Sequence, residues 1–267
     1  MTIDVDGGIT IDGVLKTPFP ADITHAAICD KGLVATWVDH ELRLARMALL
    51  SLDSELKDGG SRSDLRTSKD SMLVEGAEWC HFIDAEPLAL VADGDRIVFT
   101  LWSRGIYCIS SDSTEIWRSP LREVDGPPMS NEVKQLFIDG EALHVWSRNG
   151  DHSILSMDDG SVISSHQYGV DIDLDSAYFA GEHFLLSSRD GTCVAIESGK
   201  VTTIRKIRGT IQDAAHDGED WRIISWRDDL KLHGEITQRS DLGVQLFLQE
   251  GTWMVLDNQW ERSPHQG

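Results

Sequence analysis

Four arginines close closely similar segments of this chain: Trp102-Ser103-Arg104, Trp146-Ser147-Arg148, Ser187-Ser188-Arg189 and Ser225-Trp226-Arg227. A guanidinium is permanently charged and offers a rigid fork of donors, so a group of them can receive a carboxylate, a phosphate or an acidic peptide through paired hydrogen bonds. With only eight lysines in the chain, Arg104, Arg148, Arg189 and Arg227 are the leading candidates for a ligand or partner site. The competing expectation is that each pairs with a turn acid such as Asp151, Asp190 or Asp228 and recurs only because the architecture recurs.

Other chemistry-bearing residues point less far. Asp171, Asp173, Asp175 and Glu182 have the acid spacing of a calcium-binding loop, but Ser176 stands where such a loop needs glycine, and the flanks read as strands rather than helices. Alternation of Asp with Ile172 and Leu174 is the pattern of a half-buried strand. The ten histidines show neither HxH nor HExxH spacing, and Cys29, Cys80, Cys108 and Cys193 are neither closely paired nor in CxxC order. Free buried thiols are expected, with no zinc and no other metal site. Nucleophile elbow, phosphate-cradling loop and dinucleotide fingerprint are all missing. No catalytic residue and no cofactor is assigned; an enzyme is disfavoured without being excluded.

What must position the arginines is a set of repeats. Helical periodicity is scarce, whereas short runs of β-branched and aromatic residues bounded by Asp-Gly, Asn-Gly and Glu-Gly recur along the chain. The glycines of the first turn fall at 32, 94, 140, 181, 218 and 251, separated by 62, 46, 41, 37 and 33 residues. These separations centre on about 40 residues, the length of one four-stranded propeller blade. The expectation is therefore an all-β fold, a single β-propeller of antiparallel four-stranded blades over residues 1–267, with six blades and five as the second count. The long first gap predicts a flexible insertion at 53–71, rich in Ser, Asp, Gly and Lys. The last repeat runs out before an outer strand, so the N-terminal segments Gly8–Asp12 and Val14–Thr17 are expected to close the ring by pairing with it. Trp37, Trp102, Trp146, Trp221, Trp226 and Trp253, in or at the ends of second strands, are expected mostly to fill space between blades.

Aligned on its third strand, Ile106-Tyr107-Cys108-Ile109-Ser110-Ser111-Asp112-Ser113-Thr114-Glu115-Ile116-Trp117 resembles the quinoprotein-type propeller repeat. Segments 153–163 and 194–201 follow the same pattern without the closing Trp. The resemblance implies a blade, not an activity. Members that bind the quinone cofactor carry adjacent cysteines and coordinate calcium; no such cysteine pair stands here, so cofactor binding is not carried over. The Trp-Asp and Gly-His marks of the WD-repeat families, which share the architecture, do not recur.

Charge narrows the partners. Forty-five acids against 24 bases give a net charge of −21, which repels phosphate backbones and anionic lipid. Nucleic acid and membrane are not expected partners. Thirty of the acids are Asp, a residue that closes tight turns. No apolar run approaches the ~18 residues of a membrane span and the N-terminus has no basic, apolar leader pattern, so a cytoplasmic location is expected. The leading functional expectation is a non-catalytic scaffold that binds a protein or acidic peptide through the arginine-bearing face. The rival is an enzyme or small-molecule binder of hydrolase or lyase type that uses the axial channel.

Overall fold

The computed structural model describes residues 1–39, 44–53, 55–60, 74–120 and 131–267. Every regular element among them is a strand, and the strands form seven antiparallel sheets in chain order, five of four strands and two of three. The repeats predict six sheets, or five as the second count; the additional one is N-terminal. It consists of β1 (Thr2–Ile3), β2 (Ile9–Ile11) and β3 (Val14–Lys16), paired with one another. Its strands are too short to show a period, and its first turn is closed by Asp4 and Gly8 (Asp4 N to Gly8 O, 2.8 Å) rather than by the glycine that marks the others. Ile9 is fully buried in a core cluster with Phe19, Leu33 and Trp37, so this segment is a sheet in its own right.

Sheet 2 holds β4 (Ile23–Cys29), β5 (Gly32–Asp39), β6 (Leu44–Ser51) and β7 (Ala77–Ile83), and sheet 3 holds β8 (Pro87–Asp93), β9 (Arg96–Leu101), β10 (Gly105–Ser110) and β11 (Glu115–Ser119). In sheet 4 are β12 (Val133–Asp139), β13 (Ala142–Ser147), β14 (His152–Ser156) and β15 (Val162–His166). Sheet 5 runs β16 (Leu174–Ala180), β17 (His183–Ser188), β18 (Thr192–Glu197) and β19 (Lys200–Lys206), and sheet 6 runs β20 (Ile211–His216), β21 (Trp221–Ser225), β22 (Asp228–Lys231) and β23 (Ile236–Gln238). Sheet 7 has three strands, β24 (Gly243–Gln249), β25 (Thr252–Asp257) and β26 (Arg262–Pro264). The expected closing pair of N- and C-terminal strands is replaced by these two separate three-stranded sheets.

Each sheet is a simple meander; turns of two to five residues, rich in Asp and Gly, join most neighbouring strands, and β6 reaches β7 through the longer connection 52–76. Burial follows strand rank. In the four-stranded sheets the second strands are nearly continuous buried runs, as in His183–Ser188, whereas the fourth strand β19 alternates exposed and half-buried along its length. A strand covered on both faces must be apolar throughout, and one facing water on one side alternates.

The chain divides into two compact units: Met1–Asp125 with Leu136–Val145 and Ile154–Ser164, and Gly126–Gln135 with Trp146–Ser153 and Ser165–Gly267. In the first, cores form around Ile9, Leu33 and Trp37 and around Val34, Leu49, Ile97 and Phe99. Two indoles tie successive sheets there: Trp79 Nε1 donates to Ser111 O and Trp117 Nε1 to Met157 O, both at 2.8 Å. In the second unit, Leu185, Cys193, Trp221, Ile223 and Leu230 share one core cluster. All four cysteines are buried and free.

Of the expected insertion at 53–71, residues 54 and 61–71 lie outside the described residues. The described part at 55–60 packs on the N-terminal segment: Leu56 is buried, Asp58 Oδ1 accepts from Thr17 N at 2.9 Å, and Gly59 N donates to Thr17 O at 2.9 Å.

Candidate functional site

All four arginines fall in the turn that joins the second strand of a sheet to its third. Within the second unit, Arg148 and Arg189 line one small polar cleft of about 100 Å³ together with Lys134, Asp173, Leu174 and Asp175. Arg148 grips Asp173 through two bonds (Nε to Oδ1 2.6 Å, Nη2 to Oδ2 3.2 Å) and reaches Glu132 at 3.5 Å. Arg189 Nε donates to Asp175 Oδ1 at 2.7 Å, and Lys134 pairs with Glu132 at 2.6 Å. The Arg148 guanidinium holds the Asp173 carboxyl below its ordinary range, and the two acids raise their arginines in return. Two arginines therefore have carboxylate partners, but these come from the residue before β16 and from β16 itself rather than from the turn acids Asp151 and Asp190. Asp190 instead takes Lys206 at 2.5 Å, and Asp228 takes Arg208 through two bonds.

Alternation in the Asp171 segment is as expected. Ile172 and Leu174 are buried, and Asp173 and Asp175 point to the guanidiniums of the cleft.

Arg227 differs. It is exposed at the tip of the β21–β22 turn, where Ser225 pairs with Asp228 across only two residues, Trp226 and Arg227, and it makes no ion pair among the described residues. Trp226 has φ 48° and is 54% exposed. A bulky side chain at positive φ occupies a position that glycine normally fills in such turns and costs roughly 1–3 kcal/mol of strain. Trp260, in the β25–β26 turn, repeats the arrangement at φ 64° and 61% exposure. One connector fastens both turns: Arg239 N and Gly243 N donate to Arg227 O and Trp226 O, and Asn258 N donates to Leu242 O at 2.9 Å. A single short connector, 239–243, thus fastens the two turns that carry two exposed indoles and a guanidinium with no ion pair among the described residues.

In the first unit, Arg104 is also exposed and makes no ion pair among the described residues. Its neighbour Trp102 is 53% exposed. Of the six tryptophans expected mostly to fill space between blades, with a minority exposed, Trp102 and Trp226 are the exposed ones, both at turn tips. Trp37, Trp146 and Trp221 are fully buried as expected, and Trp253 is half-buried. Sequence reasoning thus missed that the tight turns themselves carry tryptophan; Ser-Trp-Arg-Asp-Asp at 225–229 was the available signal, since the strand resumes at Asp228 and leaves Trp226 no place inside.

No family model and no curated protein matches this chain. Solved structures do. BamB from Moraxella catarrhalis superposes with a TM-score of 0.55 at 12% identity, over 88% of this chain and 80% of that one. A BBS1N in complex with ARL6DN gives 0.57 at 12% identity, over 86% and 72%. The computationally designed Ika8 protein gives 0.55 at 12%, over 97% and 90%. At this identity the likeness shows the fold alone: it is the expected β-propeller, with seven blades, and the resemblance to quinoprotein-type propellers holds at that level. A designed protein among these neighbours makes the point that the fold itself carries no function.

Proposed function

We propose that this chain is a non-catalytic scaffold that takes a protein or peptide partner through turns of its second unit that join second strands to third. The observation that carries the proposal is the pair of exposed tryptophans at positive φ, Trp226 and Trp260, beside Arg227. Backbone strain concentrates at functional sites, and Trp with Arg are the residues most enriched among those that dominate protein interfaces. On a body of net charge −21, a guanidinium without a carboxylate partner among the described residues favours an acidic segment, with the indoles as its apolar anchors. Arg189, whose side chain is 83% exposed, and Arg148 extend the cationic surface but already hold Asp175 and Asp173. That the similar BBS1N is recorded in complex with ARL6DN supports a protein partner for this fold without naming one here.

The test is mass spectrometry of what co-purifies with the gently extracted chain. It is compared with a variant carrying Arg104→Ala, Arg148→Ala, Arg189→Ala and Arg227→Ala, and with Trp226→Ala plus Trp260→Ala. A stoichiometric protein lost in both supports the proposal; equal recovery in all three rejects these turns as the site.

A further inference from the structure

We propose that the first unit carries a separate docking groove, at Trp102, which receives an apolar side chain of a partner protein flanked by lysine or arginine. The groove has a volume of about 340 Å³ and is lined by Val38, Ala45, Ile83, Ala85, Trp102 and two acids, Asp84 and Glu86. Its floor is a cross-strand row: Val38 pairs with Ala45 and Ala45 with Ile83, so the ends of β5, β6 and β7 present one apolar strip. Ile83 and Ala85 rest on the core cluster beneath, which includes Phe99 and Leu101. The wall opposite is the β9–β10 turn. Leu101 and Gly105 pair directly, leaving Trp102, Ser103 and Arg104 to bridge them.

That turn is fixed rather than loose. Trp102 N donates to Glu86 O at 2.9 Å and Arg104 N to Leu101 O at 3.0 Å, which ties the turn to the same residues that form the acidic rim. The indole is nonetheless 53% exposed. Phe82, also exposed, is satisfied on its own side of β7 by the Arg46 guanidinium, 4.1 Å from the ring centroid; Trp102 has no such cation or ring partner among the described residues.

The occupant follows from the chemistry of floor and rim. An apolar floor with an aromatic wall takes an aliphatic or aromatic side chain, and pockets that accept such anchors begin at about 300 Å³. Asp84 and Glu86 are exposed and make no ion pair among the described residues, and the chain around them carries −21. Complementarity therefore selects a basic neighbour to the anchor. This is the opposite charge preference from the Arg227 turn, so the two sites are separable by experiment.

The probe is a phage-displayed library of random 12-residue peptides selected on the immobilised full chain, with free peptides re-measured by fluorescence anisotropy. The expected result is a consensus of one large apolar residue with Lys or Arg within two positions, and binding weakened at least about tenfold by Trp102→Ala and by Asp84→Lys plus Glu86→Lys, with Trp226→Ala unaffected. Both variants alter exposed side chains, and an unchanged melting temperature confirms that they fold. Acidic consensus peptides, peptides retained by Trp102→Ala, or no enrichment would overturn the proposal. A concentration-dependent dimer abolished by Trp102→Ala would also overturn it, by assigning the groove to a second copy of the chain.

Discussion

Trp102-Ser103-Arg104 and Trp146-Ser147-Arg148 are the same three residues near the ends of second strands, and they end in opposite environments. Trp146 lies inside β13, fully buried, stacked on His152 at 4.3 Å and edge-on to Phe184 at 5.2 Å. Trp102 lies one residue past the end of β9 and is half in water. Arg148 is gripped by Asp173, while Arg104 has no ion pair among the described residues. The cause is register. β9 and β13 are equally long, but Trp146 follows Gly140 by six residues and falls inside β13, whereas Trp102 follows Gly94 by eight and falls just past the end of β9. A shift of two residues along the second strand decides whether the triplet is core or surface.

The largest expected contrast is in stability. Trp146→Ala empties a packed aromatic cluster and should cost about 3–5 kcal/mol, while Trp102→Ala should stay within about 0.5 kcal/mol; urea denaturation of the two variants measures the difference. If both cost the same, the assignment of one to the core and the other to the surface fails.

Acid should act mainly on the interiors. Burial holds the imidazoles of His25, His144, His216 and His265 below their ordinary value, so the neutral form is favoured by folding. The stability they supply is complete above about pH 6.5 and is lost as pH falls through the lowered values. A melting temperature that drops by several degrees between pH 7 and pH 5, before carboxylates titrate, is the expected result.

The short turn of sheet 3 depends on one glycine. Gly105 has φ 150°, and an added Cβ would lie 2.6 Å from Ser119 O. Gly105→Ala should cost about 1–3 kcal/mol and should also displace Trp102, read as a shift in its fluorescence emission.

The smallest effect belongs to the turn ion pairs. Arg148→Ala should lower stability by no more than about 1 kcal/mol, because Asp173 is largely exposed, and Arg104→Ala should change nothing measurable. The Arg148–Asp173 contribution is present above the ordinary carboxylate range and fades as pH falls through the lowered Asp173 value. Thermal melts of the two variants at pH 7 and pH 3 should therefore converge.

Much of the fold was legible because six first hairpins share one glycine mark, at 32, 94, 140, 181, 218 and 251, and each opens a sheet. The N-terminal sheet escaped because strands of two and three residues carry no period. The resemblance motif also gains a physical basis. Trp117 lies over Gly160 of the next sheet, where a Cβ would sit 2.5 Å from its ring, and its indole bonds Met157 O. Sheet 4 lacks the closing Trp, and nothing lies within 4 Å of the matching position at Gly199. The arginine positions were legible from repetition, but their partners were not: Asp173 stands just before β16 and Asp175 within it, and only the fold brings them to Arg148 and Arg189. Exposed Trp226 and Trp260 were hidden because tryptophan in a strand-rich repeat is ordinarily core.

Hydroxyl-radical footprinting of the co-purified complex against the free chain, read by mass spectrometry, tests the proposed partner turns most directly. Protection of Trp226 and Trp260, with the buried Trp37, Trp146 and Trp221 unchanged, is the expected result. Equal oxidation of Trp226 and Trp260 in the free and bound chain, with protection elsewhere, would contradict the assignment of those turns to a partner.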